Sequence, residues 1–155
     1  FIGNSKVSNI SSSISDKSVS FITRLKSFPN VKLLGVLDTT ELSKSLVEMD
    51  AFMICYDEER DMCKGTNYHK VLEYIATGKV LISNHVTTYE NLGLFEMTEK
   101  NKAKEEYKAL FKKVTSNLSF YNSESLQQKR IEFAKQHSYQ KQVNKIDELL
   151  NLSTY

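Results

Sequence analysis

The apolar positions of the chain switch between two periods, and the switches mark its elements. Val19 to Phe28 carries apolar residues at 19, 21, 22, 25 and 28, the spacing of a helix, and Pro29-Asn30 stops it. Val31 to Val36 (VKLLGV) reads as a short strand. Asp38 or Thr39 then caps a helix that runs to about Met49 and turns Leu42, Leu46 and Val47 inward. Glu41 stands where a capping box places its acid. Ala51 to Tyr56 (AFMICY) reads as a continuous apolar strand. A charged loop, Asp57 to Lys64, leads into GTNYHKVLEYIATGKVLIS at residues 65–83, around which the rest is arranged. There Thr66 or Asn67 caps a helix whose apolar face is Val71, Leu72, Ile75 and Ala76. Gly78 takes the left-handed position after the last turn, and Val80, Leu81 and Ile82 form a buried strand.

Asn84 to Asn91 is polar and ends that strand, and Leu94 to Met97 reads as another short one. Lys102 to Asn117 is an amphipathic helix with apolar residues at 103, 107, 110, 111 and 114. Ser123 to His137 is a second, with Leu126, Ile131 and Phe133 inward. The last, Tyr139 to Leu150, is expected to pack Val143, Ile146, Leu149 and Leu150. Phe1-Ile2 reads as the tail of a strand turning at Gly3-Asn4, which predicts a fragment of a longer chain. Strands separated by helices, with short connections, predict an α/β fold: one domain over residues 1–155, a parallel sheet with helices on both faces. Ligands of such sheets bind beyond the carboxyl ends of the strands. The loops after Ile2, Val36, Tyr56 and Ser83 are expected on that edge, and His85 with them.

Composition narrows the classes. The chain is 40% hydrophobic and 26% charged, as in ordinary soluble domains. A net charge of +2 is too small to argue for nucleic acid or an anionic membrane, and no nucleic-acid partner is expected. No apolar run approaches the roughly 20 residues of a membrane helix, and no signal peptide is visible. Cys55 and Cys63 lack metal-ligand spacing, so a reducing, cytoplasmic setting is expected.

The polar face of the central helix carries the candidate chemistry. A helix start at the binding edge presents free N–H groups and partial positive charge, which attract phosphate. Lys70 adds a full positive charge in the first turn, and Glu73 can accept hydrogen bonds from a sugar diol. A Lys and a Glu three apart are also an ordinary exposed pair worth a few tenths of a kcal/mol. His69 can approach a phosphate or stand as a solvated helix residue, and Tyr68 can stack on a base or pack.

The segments NVKLLGVLDTTELSKSLVEMDAFMICY and NYHKVLEYIATGKVLISN resemble the C-terminal domain of glycosyltransferases with two facing Rossmann-like domains, the GT-B architecture of the glycosyl transferases group 1 type. The family pattern stands here as Gly35, Glu41-Leu42, Asp50-Ala51-Phe52, Asn67, Lys70, Glu73-Tyr74, Ala76 and Gly78-Lys79-Val80. Arg130 to Ala134, His137-Ser138-Tyr139 and Ile146 resemble the closing helices, so the likeness spans most of residues 30–150. It implies a three-layer Rossmann-like domain that binds a nucleoside-diphosphate sugar, with an N-terminal acceptor domain of the same chain as its partner. Glu73 matches the ribose-holding glutamate, and Asn67, Tyr68, His69 and Lys70 match the diphosphate loop and helix start. Gly35 and Val36 would lie near the base. No metal or other cofactor is implied, and the whole enzyme would be cytoplasmic or peripheral at the cytoplasmic membrane.

The departures bear on catalysis. Gly65 stands where many relatives carry a second glutamate facing the donor sugar. Asp57, Glu58 or Glu59 can substitute, or the acidic loop is simply solvated. No catalytic residue is assigned, and this segment alone is expected to transfer little or nothing. The alternative is a non-catalytic Rossmann-like module that binds a nucleotide or a protein partner. A receiver domain is disfavoured, because Phe1 to Lys6 lacks the paired acids it needs.

Overall fold

The computed structural model of the protein describes residues 2, 16–56 and 68–152. The fold is α/β, in two compact units, residues 1–47 and 48–155.

The first unit holds α1 (Asp16–Lys26) and α2 (Thr39–Val47). Helix α1 stops before Phe28 because Ser27 folds back on it: its amide and hydroxyl both donate to the Arg24 carbonyl, at 3.2 and 2.7 Å. Val19 and Phe21, two of its apolar positions, are exposed. The strand expected over 31–36 is reduced to one parallel bridge, between Ile2 and Gly35. Its period-two pattern is present, since residues 31, 33 and 35 are half-buried and 32, 34 and 36 exposed. Gly35, however, lies at φ +75°, and that left-handed residue turns the chain out of extended pairing. Asp38 is the cap of α2: its carboxylate accepts from the Glu41 amide at 2.8 Å and its carbonyl from the Leu42 amide at 2.8 Å. The helix ends at Val47 rather than Met49, with Leu46 buried and Val47 exposed against expectation.

The second unit is built on a parallel sheet of β1 (Ala51–Ile54), β2 (Val80–Ser83) and β3 (Glu96–Met97), in that spatial order. Helix α3 (Tyr68–Ala76) joins β1 to β2. After β3 come α4 (Ala103–Thr115), α5 (Leu118–Tyr121), α6 (Glu124–Gln136) and α7 (Tyr139–Leu152). All of β2 is buried, as its apolar run predicts. Val80 and Ile82 pack with Val114 of α4 and Tyr121 of α5. The pleat sends the intervening residue the other way. Phe52, paired with Leu81, stacks there on Tyr74 of α3 with ring centroids 4.4 Å apart. Each such side chain contributes roughly 1.5–3 kcal/mol by leaving water.

Several expectations fail in this unit. Strand β1 ends at Ile54, not Tyr56, because the Tyr56 amide donates to Asn84 Oδ1 at 2.8 Å. Met53 is exposed, although Ala51 on the same face packs against the cluster of Val80, Ile82, Val114 and Tyr121. The expected inward face of α7 is exposed as well, at Val143, Ile146, Leu149 and Leu150. In α6 the expected core residues Leu126, Ile131 and Phe133 are only half-buried, and the buried side chain is Arg130.

Two polar side chains tie the amino-terminal side of the sheet together. Asn122, just after α5, accepts from the Val80 amide and donates to the Asp50 carbonyl, both at 2.8 Å. It thereby joins the starts of β1 and β2. Arg130 donates to the carbonyls of Leu94 at 2.7 Å, Gly78 at 2.9 Å and Tyr121 at 2.8 Å. Burial pushes its guanidinium below the ordinary arginine range, and the Glu96 carboxylate opposes part of that shift.

Candidate functional site

Helix α3 is fixed at its far end by Gly78. The Thr77 and Gly78 amides close on the carbonyls of Tyr74 and Ile75, at 3.2 and 3.0 Å, and Gly78 turns at φ +80°. A Cβ there would stand 3.1 Å from Gln127 Cβ and from Ile131 Cδ1, so α6 also excludes a larger residue. The chain then enters β2 parallel to β1, so α3 runs against the strands and its first turn lies at their carboxyl edge. Val71 and Ile75 bury the inner face as expected, but Ala76 is exposed, and Tyr74 takes its place by stacking on Phe52.

Tyr68, His69 and Lys70 form the first turn of α3, with Lys70 exposed. Glu73, one turn further, is also exposed and stands at the side of a groove of about 880 Å³. Leu72, Ala76, Leu92, Phe133 and Tyr139 make much of the groove wall. Burial raises the neighbouring Tyr74 phenol above its ordinary value, and the Glu73 charge adds to the effect.

A second polar group lies at the ends of β2 and β3. Ser83, His85 and Thr98 are buried, and Ser83 Oγ, His85 Nε2 and Thr98 Oγ1 have no hydrogen-bond partner among the described residues. The Tyr107 hydroxyl of α4 reaches the same edge, its single proton shared between the carbonyls of Ile54 at 3.0 Å and Ile82 at 3.1 Å. Burial, and then the neighbouring Cys55, hold that phenol well above its ordinary value.

Thus Tyr68, His69, Lys70 and Glu73 all belong to α3. Asn67, Asp57, Glu58, Glu59, Gly65 and Thr66 lie outside the described residues. Gly35 and Val36 belong to the first unit. Sequence reasoning placed His85 at the edge but missed its neighbour Glu90, whose Oε2 is 3.2 Å from His85 Nε2. It also missed Ser83, because a serine ending an apolar run reads as the return to solvent. No three His, Cys, Asp or Glu side chains among the described residues are grouped to hold a metal ion. No helix among them is long and apolar enough to cross a membrane. Compared with protein-family models, curated proteins and solved structures, the chain matches none.

Proposed function

We propose that this chain is the donor-binding half of a GT-B glycosyltransferase, a three-layer Rossmann-like domain. It would hold a nucleoside-diphosphate sugar while the sugar passes to a saccharide, lipid or protein hydroxyl. The observation that carries this reading is the placement of Lys70 and Glu73. Both are exposed, on successive turns of a helix that begins at the carboxyl edge of a parallel sheet. In this reading the N–H groups of the first turn and Lys70 receive the diphosphate. They stabilise its charge as it develops on the leaving group, with no metal required. Glu73 accepts hydrogen bonds from the ribose diol. An N-terminal domain of the same chain supplies the acceptor, in the cytoplasm or at the membrane surface. The exposed Val143 and Ile146 of α7 favour a second reading, a non-catalytic module that binds a nucleotide or a protein partner.

Calorimetric titration with UDP, GDP, ADP and TDP tests the first reading. One diphosphate should bind, and Glu73→Ala and Lys70→Ala should each weaken it about tenfold, the loss of one charge-assisted hydrogen bond. Binding that is unchanged in both variants would place the nucleotide elsewhere and end the reading.

A further inference from the structure

We propose that the chain pairs with a second copy of itself, the C-terminal half of each α7 filling the groove of the other. Helix α7 has 14 residues, and residues 139–150 are all exposed. A helix of that length is marginal in water unless one face is buried. In one chain these residues stay exposed, so the cover comes from outside it. The spacing of the apolar stripe names the kind of cover. Tyr139, Val143, Ile146 and Leu150 follow at intervals of four, three and four, the seam of a coiled coil. Such a seam takes another helix. It also reads alike from either end: laid antiparallel on a copy of itself, it sets Val143 against Ile146 and Tyr139 against Leu150. Charge agrees with that direction. Lys141 and Lys145 stand in the first half of α7 and Asp147 and Glu148 in the second, the reverse of what the helix dipole favours. An antiparallel copy brings the acidic half of one helix to the basic half of the other.

The groove points to the same direction independently. Leu72 and Ala76 of α3, Leu92, Phe133 of α6, and Tyr139 and Gln142 at the start of α7 line it. It therefore opens at the amino-terminal end of the seam, whereas Leu149 and Leu150 stand at the other end. Antiparallel pairing lays those leucines of one copy over the apolar groove of the other, and parallel pairing keeps them away from it. The sizes agree. A helix about 11 Å across that rises about 1.5 Å per residue takes up roughly 140 Å³ per residue. The groove of about 880 Å³ thus holds about six residues of helix, the length from Lys145 to Leu150. A twofold axis makes the two filled grooves equivalent, the commonest arrangement of homodimers. The proposal does not rest on the nucleotide reading, and its test contains no nucleotide.

Sedimentation velocity on the whole chain, from about 1 to about 100 μM, tests it, a range in which modest interfaces assemble. The chain should pass from monomer to dimer as its concentration rises. Leu149→Lys on the stripe and Ala76→Glu in the groove should each raise the dimer dissociation constant more than about tenfold, because each sets a charge against apolar surface. Both positions are exposed, so the variants keep the fold. Mixed one to one, the two variants should dimerise again. The mixed dimer has one groove and stripe of native composition, and in the other the new lysine meets the new glutamate. A chain that stays monomeric throughout the range overturns the proposal. So does a dimer indifferent to either substitution, which forms through another surface. Two monomeric variants that fail to recombine also overturn it, since the stripe of one copy then does not meet the groove of the other.

Discussion

The two ends of the sheet treat their polar groups in opposite ways. At the amino-terminal end every polar side chain described above is satisfied. Asn122 uses both its oxygen and its nitrogen on backbone, and Arg130 serves three carbonyls. At the carboxyl end Ser83 Oγ and Thr98 Oγ1 are buried without a hydrogen-bond partner among the described residues, and His85 Nε2 has only the Glu90 carboxylate at 3.2 Å. Buried polar atoms are nearly always paired, so a group of exceptions on one edge asks for an explanation. The satisfied end is scaffold. The unsatisfied end is where a ligand has something to gain.

Substitutions can break this contrast. Arg130→Met should have the largest effect, about 3–5 kcal/mol, because three carbonyls lose their donor at once. A fall in the urea midpoint would report it; a loss under about 1 kcal/mol would mean that the carbonyls find other partners. Asn122→Ala should cost about 2 kcal/mol in the same assay, since it strands the Val80 amide and the Asp50 carbonyl. At the other end Ser83→Ala should shift stability by less than about 1 kcal/mol, and in the stabilising direction, because it removes an unpaired hydroxyl. A clear destabilisation by Ser83→Ala would show that this hydroxyl is satisfied after all and would erase the contrast.

The scaffold was legible where one local cause was enough. Three successive apolar residues marked β2, Gly78 marked the end of α3, and the spacing of Asp38 and Glu41 marked the start of α2. The role of Arg130 was not legible, because an arginine beside Lys129 in a mostly polar helix reads as solvated, and only the fold brings three carbonyls to it. The face of α7 was half legible: periodicity identified Val143 and Ile146 as one stripe but carried no information on whether anything covers it. Of the candidate site, the spacing from Tyr68 to Glu73 was readable because it lies within one helix. The pairing of His85 with Glu90 was not, since it depends on the turn that follows β2.

Arg130 has a consequence for how the unit comes apart. Its guanidinium bridges the end of α3, the approach to β3 and the end of α5, segments 52, 36 and 9 residues away in sequence. A charged group can leave water only when all its acceptors are in place. Any opening that frees one segment therefore rehydrates the charge and loosens the other two. These three segments behave as a single cooperative block, while α7, with its exposed face, is free to fray on its own.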